Sequence, residues 1–432
     1  MKINFRKTLF WIVDFIKGRK KIDNYNDIKN IIENYNTKEV KAKKAQYLED
    51  ILNHAINSTP FYKSNKNFKN ILDFPVINKN IIKNNYSNFE SNLYKDKPRR
   101  EVKTSGSTGT PFKVSQDSRK ITRNSADNIY FSEKVNYNIG NKLYYFRIWN
   151  VFENKNFIVK FAQNIIPINV FDINDNYIKD FILKLKKDKS VKSWIGYASS
   201  FKDICKYLDK NNEEPINCNL QSVIAISESL SSYTKESIKK YFGANVVSRY
   251  SNVENGILAQ QLINTSYFII NHASYYIEIL HYDKNIPVKN GEKGRIVVTD
   301  LFNYCMPMIR YDTGDVGSID TVDGKLVLVK VEGRKIDLIT NTKGEIVSSK
   351  LISLINKYPE LNQCQLIQKT FNKYLFKINI HGDFKNETKF INEFKEYLGN
   401  DANIVIEYVE EIPLLNSGKR RAMINETSYI NN

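Results

Sequence analysis

The stretch Thr104-Ser105-Gly106-Ser107-Thr108-Gly109-Thr110 packs five hydroxyl side chains and two glycines into one short span. Glycine permits positive φ and lets backbone N–H groups converge on phosphate oxygens. Hydroxyls add donors and can reach a metal ion. No Gly-Lys-Ser/Thr follows, so this is not a Walker loop. A second group, Tyr250-Ser251-Asn252-Val253-Glu254, directly follows a run that reads as a buried strand. An aromatic there can stack on a flat base, and a carboxylate four residues on can hold Mg²⁺, whose ligands are oxygens. A third, Arg310-Tyr311-Asp312-Thr313-Gly314-Asp315, is followed about twenty residues later by Gly333-Arg334. An Asp can accept both hydroxyl hydrogens of a ribose, and an Arg can pair with it or with a phosphate. The fourth, Pro413 to Arg421, carries Lys419 just after a Ser-Gly turn, where a Lys can act as a mobile point charge. Each group has a bland alternative: a flexible surface turn, a solvated loop, a hairpin salt bridge and a basic tail.

The elements that must position these groups follow from periodicity. The first hundred residues read mainly as helices, with Leu48, Ile51, Leu52, Ala55 and Ile56 on one face and Ser58-Thr59-Pro60 as the stop. Ile178, Phe181, Ile182 and Leu185 have helical spacing, as do Phe201, Ile204, Cys205 and Leu208. SVIAIS at 222–227, a helix over about 233–242 and NVVSRY at 245–250 make strand, helix, strand with short links. That order suggests a parallel sheet, whose ligands bind beyond the carboxyl ends of its strands, here after Ser227 and Tyr250. From Tyr275 to Val331 the chain turns β-rich, and after Gly333 it reads as a small α+β unit. The expected fold is α/β, a large N-terminal domain (1–334, of which 1–100 is a helical entry segment) and a small C-terminal α+β domain (335–432).

Composition narrows the classes. The 432 residues are 41% hydrophobic, enough for two domains and excluding a disordered tail. The formal charge of +18 can attract nucleic acid, anionic lipid or an acidic glycan. The basic residues are scattered and no nucleic-acid module is present, so no nucleic-acid partner is expected. Four cysteines without a CxxC pair suit a reduced compartment, and four dispersed histidines give no zinc spacing. Residues 8–16, TLFWIVDFI, precede Lys17, Arg19, Lys20 and Lys21. The run is too short to span a bilayer and lacks a cleavage site after it. A helix docked on the protein's own core is favoured there over peripheral membrane contact through residues 8–21. The expected location is the cytoplasm, at the inner face of the membrane if that contact exists.

The four groups, in this order and spacing, resemble the adenylate-forming superfamily of acyl-CoA synthetases and ligases. They are most similar to the phenylacetate–CoA ligase branch that includes the CapK-type capsule biosynthesis proteins. The resemblance runs over nearly the whole chain and includes TPFYKSN, DFPVINKN at 73–80, Gly196-Tyr197 and Ser227-Glu228.

The resemblance implies roles. Thr104 to Thr110 would hold the ATP phosphates, Tyr250 would stack on adenine, Glu254 with Thr108 would bind Mg²⁺, and Asp315 with Arg334 close by would bind the ribose. Lys419 would bridge carboxylate and phosphate during adenylation. A hinge at Lys335, Ile336 and Asp337 would let the small domain rotate between two half-reactions. Tyr197, Ser199 and Ser227 would line the acid pocket. The substrates would be ATP and a small carboxylate, and the acceptor a thiol (coenzyme A, as in an aryl-CoA ligase), an amine or a glycan in capsular polysaccharide assembly. A retired, inactive ligase fold serving as a scaffold is the non-enzymatic alternative. Departures from the family pattern are Thr110 where a Lys is common (Lys113 being the nearest substitute), Ser251 for Gly, Val253 for a polar residue and Ile336 for a charged one. Some relatives carry a Cys/His zinc site; Cys305 and His272 alone do not supply one, so no zinc is expected.

Overall fold

Apolar residues at helical spacing build the N-terminal segment of the computed structural model. It describes residues 4–103, 112–149, 163–334, 337–355, 357–358, 360–380, 384–413 and 421–427. Helices α1 (Phe5–Ile16), α2 (Lys20–Glu33) and α3 (Lys38–Ser58) come first, and α3 buries the expected Ile51, Leu52, Ala55 and Ile56. Thr37 caps α3 by accepting from Val40 N, and Pro60 opens a short 3-10 turn after it. Two short helices follow, α4 (Lys79–Asn84) and α5 (Tyr86–Phe89). Strands β1 (Arg100–Lys103) and β2 (Lys113–Gln116) then pair antiparallel, with Lys103 opposite Lys113. The 104–110 segment therefore joins two paired strands, and its own residues lie outside those described.

Helix α6 (Ser118–Glu133) leads into the main sheet. Its parallel block consists of β3 (Lys142–Arg147), β4 (Ile165–Asn169), β5 (Lys192–Tyr197), β6 (Leu220–Ile226) and β7 (Asn245–Asn252). Helices α7 (Asp175–Lys187), α8 (Ala198–Lys210) and α9 (Ser232–Phe242) connect these strands. Phe181, Ile204, Phe201 and Trp194 meet in the core between them. β5 is buried along its whole length, as a strand covered on both faces must be. Gly196 lies where β5 touches β3: a Cβ there would sit 2.4 Å from Phe146 Cβ.

The antiparallel half adds β8 (Gly256–Gln261), β9 (Phe268–Ile270), β10 (Tyr275–Leu280), β11 (Gly294–Asp300), β12 (Tyr311–Val322) and β13 (Lys325–Arg334). The full order is β10-β11-β12-β13-β9-β8-β7-β6-β5-β3-β4. The smaller domain carries α10 (Ser348–Ile355), α11 (Glu387–Leu398) and a four-stranded sheet ordered β16-β15-β14-β17. These strands are β14 (Leu361–Gln368), β15 (Lys373–Ile380), β16 (Asn403–Tyr408) and β17 (Met423–Asn425). Phe376, Phe390 and Phe394 are fully buried in its core. The architecture is thus the expected one, a large α/β domain with a mixed sheet and a smaller α+β domain.

Candidate nucleotide and acyl site

β7 carries Tyr250 as expected and runs two residues beyond the expected 245–250, through Ser251 and Asn252. A bulge between Tyr250 and Ser251 interrupts its pairing with β8. Glu254 sits in the tight turn between the two strands, where Asn252 Oδ1 accepts from Asn255 N at 2.9 Å. That turn buries the Glu254 carboxylate to 2% exposure. Tyr311 donates its hydroxyl hydrogen to Glu254 Oε1 at 2.7 Å.

Asp315 owes its position to a second irregularity. A step of two residues on β11, Arg295 to Val297, is matched by a step of four on β12, Asp312 to Val316. Three residues, Thr313, Gly314 and Asp315, thus stand opposite the single Ile296, with Gly314 at φ +79. Such a bulge re-aims a side chain out of the ladder. Tyr250 donates to Asp315 Oδ2 at 2.8 Å, and Asp315 N donates to Thr313 Oγ1 at 3.1 Å. Arg334 is the direct cross-strand partner of Asp315. Burial pushes the Asp315 carboxyl above the usual carboxylate range, against the Tyr250 hydrogen bond and the Arg334 charge. Burial, with Asp315 beside it, raises the Tyr250 phenol well above its ordinary value.

Lys79, like Tyr311, has no role in the sequence reading. Lys79 Nζ lies 3.4 Å from Glu254 Oε1 and near the Phe112 ring. Its segment is DFPVINKN, which hydrogen-bonds along β12: Ile77 N donates to Arg310 O at 3.0 Å and Asp312 N to Ile77 O at 2.7 Å. Asn78 then caps α4, fixing Lys79 as its first residue. The motif was legible, and Lys79 was in it; its reach to Glu254 depends on the pairing with β12.

Lys79, Tyr250, Glu254, Thr313, Asp315 and Arg334 line one cleft of 2610 Å³ that extends between the two domains. Tyr197, Ser199 and Ser227 line it too, at the carboxyl ends of β5 and β6. Ser227 adopts φ +70, and Glu228 accepts from Ser199 N at 2.8 Å at the start of α8. On the small-domain side, Ile412 N donates to Gln363 Oε1 at 2.6 Å. Arg421 Nε donates to Asp337 Oδ1 at 2.8 Å. Both flanks of the segment bearing Lys419 are thus fixed at the cleft wall. Lys419 itself, Lys335 and Ile336 lie outside the described residues, as does the 104–110 loop, whose stem residue Lys103 also lines the cleft. The domains touch where Lys206 of α8 donates to Leu361 O at 2.6 Å.

Glu254 offers a buried carboxylate facing the cleft, which suits Mg²⁺: that ion takes one or two protein carboxylates and draws its other ligands from water and substrate phosphates. Among the described residues no group of three or more His, Cys, Asp or Glu could hold a metal alone. His272 instead hydrogen-bonds Leu326 O at 2.9 Å, and burial lowers its pKa to about 3.

Comparison with known proteins agrees with this layout. Residues 338–426 match the model of the CapK C-terminal domain. Protein CapK of Staphylococcus aureus is 23% identical over 439 residues, covering 95% of this chain and 94% of that protein. Indoleacetate–lysine synthetase of Pseudomonas savastanoi is 24% identical over 192 residues, 43% of this chain and 42% of that protein. Among solved structures, 2-hydroxyisobutyryl-CoA ligase in its postadenylation state with an acyl-AMP superposes with a TM-score of 0.71 at 14% identity, over 91% of each chain. The same ligase in its thioesterification state gives 0.57 over the same shares. The fold of this chain is that of the adenylate-forming acyl-CoA ligases.

Proposed function

We propose that the protein joins AMP from ATP to a carboxylate and then passes the acyl group to an acceptor. The observation that carries this is a single cleft lined by Tyr250, Glu254 and Asp315, by the stem of the Ser/Thr/Gly loop, and by both flanks of the Lys419 segment. A base, a ribose, a triphosphate and a carboxylate need these groups in one place.

A carboxylate is a poor nucleophile, and the triphosphate repels it. In this reading its oxygen attacks the α-phosphorus, the bond to pyrophosphate breaks, and acyl-AMP forms. Tyr250 packs against the adenine, and Asp315, aimed by Thr313 and Tyr250, accepts from the ribose hydroxyls. Residues Thr104 to Thr110 surround the phosphates with N–H and hydroxyl donors. Lys419 bridges the two negative reactants and lowers the barrier electrostatically. Glu254, with Thr108, would hold Mg²⁺, which when bound neutralises charge on the phosphate oxygens. No enzyme nucleophile is required. In the second half-reaction the acceptor attacks the acyl carbonyl and AMP leaves, after a rotation about Lys335 to Asp337.

The similarity to CapK along almost the whole chain supports service in cell-surface polysaccharide assembly, in the cytoplasm, with a glycan or amine acceptor. A coenzyme A acceptor is the second reading, favoured by the ligases that share the fold.

The test is pyrophosphate release with ATP, Mg²⁺ and a panel of aryl, fatty, amino and uronic acids, repeated with candidate acceptors. Lys419→Ala is expected to cut adenylation by about 10² or more. Equal rates in wild type and variant would remove Lys419 from the site. A protein that binds no ATP at millimolar levels would end the reading.

A further inference from the structure

Helix α1 is turned inside out. Its inward side sets polar groups around Trp11, whose ring meets Tyr25: Asn4 donates to Ile139 O at 2.8 Å, Lys7 pairs with Glu133 at 2.7 Å, and Asp14 accepts from Lys21 N and Ile22 N at 3.1 and 2.9 Å. Asp14 is 5% exposed, although it is the one acid of the helix. The outward side is apolar. Phe5, Leu9, Ile12 and Ile16 recur at helical spacing as one stripe, flanked by Val13 and Phe15. All six are exposed, Phe5 at 73% and Ile16 at 76%. A helix meeting water places its charges there; a helix meeting hydrocarbon places its apolar side chains there.

The charges at the rim identify what covers this face. Exposed Lys17, Arg19 and Lys20 follow the stripe directly, and α1 presents no outward carboxylate to oppose them. Asp23 is the neighbouring acid, and it pairs with Arg19 at 3.6 Å. An apolar stripe with a basic rim complements an anionic lipid surface: the stripe enters the acyl boundary and the ammonium groups meet the headgroups. At twelve residues α1 is too short to cross a bilayer, and among the described residues no helix is long and apolar enough to do so.

We propose that α1 is an interfacial anchor that holds the protein on anionic membrane, lying in the plane of the headgroups. Phe5, Leu9, Phe10 and Val13 of the same helix also wall the cleft. The anchored protein therefore opens its cleft at the lipid surface. A carboxylate or acceptor borne on a lipid would reach the reactive centre without leaving that surface; this last step rests on the ligase reading, and the anchoring does not.

The test uses the full chain and co-sedimentation with vesicles of phosphatidylglycerol or of phosphatidylcholine. Binding to phosphatidylglycerol vesicles and not to phosphatidylcholine is expected. The triple variant Leu9→Ser, Ile12→Ser, Ile16→Ser changes exposed side chains and should keep the wild-type melting temperature while losing partition about tenfold or more. Lys17→Glu with Lys20→Glu should lose a similar factor, and salt should weaken wild-type binding. Wild-type protein that ignores phosphatidylglycerol vesicles would overturn the proposal. So would a vesicle-free dimer, seen by sedimentation, that the triple variant dissolves, because a second copy would then cover the face. ATP binding is measured on the same samples; its failure would sink the ligase reading and leave the anchor standing.

Discussion

The Tyr250 hydroxyl reaches Asp315 at 2.8 Å although four strand-to-strand steps separate β7 from β12 in the sheet order. In a flat sheet those steps would span roughly 19 Å. The antiparallel half therefore curls until its far strands meet, enclosing Leu258, Ile277, Val298 and Leu328 in a common core. The curl makes a pair out of two residues 65 positions apart. Tyr250→Phe removes the donor and keeps the ring. ATP affinity is expected to fall about tenfold, because one hydrogen bond to a charged acceptor is lost, with little change in kcat. Equilibrium binding beside steady-state kinetics separates the two effects; unchanged affinity would show that the hydroxyl does not position Asp315.

Asp315→Asn is expected to raise thermal stability while it abolishes ribose recognition. The sign follows from the direction of its shift. Burial raises the folded carboxyl above its unfolded value, so the folded state binds the proton more tightly. This group's contribution to stability is full below the unfolded pKa and is lost as pH rises through the folded one. At neutral pH the ionised, buried acid is thus a cost that the amide avoids. Calorimetric melting at pH 7 checks it, and a lowered melting temperature would contradict the argument.

Lys79 is the counter-charge of Glu254, its Nζ 3.4 Å from Oε1. Lys79→Met is expected to tighten Mg²⁺ binding in the absence of nucleotide and to weaken triphosphate binding, since one cation would take the place of another beside the same acid. Glu254→Gln should lose the Mg²⁺ response. Metal titration by calorimetry reads both. If Lys79→Met leaves metal and nucleotide affinity unchanged, the ion pair is structural only.

The contact between domains carries a pH dependence. Burial, and then the neighbouring Lys202, lower the Lys206 pKa from 10.5 to about 8 where it meets Leu361 O. Between those two values the undocked arrangement holds more protons, so docking strengthens as pH rises through that window, by at most about tenfold per pH unit. Small-angle scattering from pH 7 to 10 should report compaction, and Lys206→Met should flatten the profile. A radius independent of pH in the wild type would rule this out.

The sequence by itself determined the local elements and the order of the motifs. Period 3.6 marked α3, α7 and α8, and apolar runs marked β6, β7 and β10, because these patterns follow from which faces a helix or strand must bury. It also marked Tyr250 as a base-stacking aromatic, and Glu254, Asp315 and Arg334 as carboxylate and cation chemistry. It read the 310–315 run as ribose and phosphate chemistry, with a hairpin salt bridge as the bland alternative; the structure starts a twelve-residue strand at Tyr311, bulged at Gly314, that pairs with β13 and sets Asp315 opposite Arg334. It read residues 8–16 as a helix favouring the protein's own core, where Asn4, Lys7 and Asp14 make that contact and the apolar face looks outward. Only tertiary structure decided that Lys79 meets Glu254, that Tyr311 donates to the same acid, and that Arg421 returns to Asp337. Those relations depend on sheet curl, on bulges and on pairing between distant segments. Periodicity cannot encode them, because the free energy that fixes them comes from contacts between residues far apart in the chain.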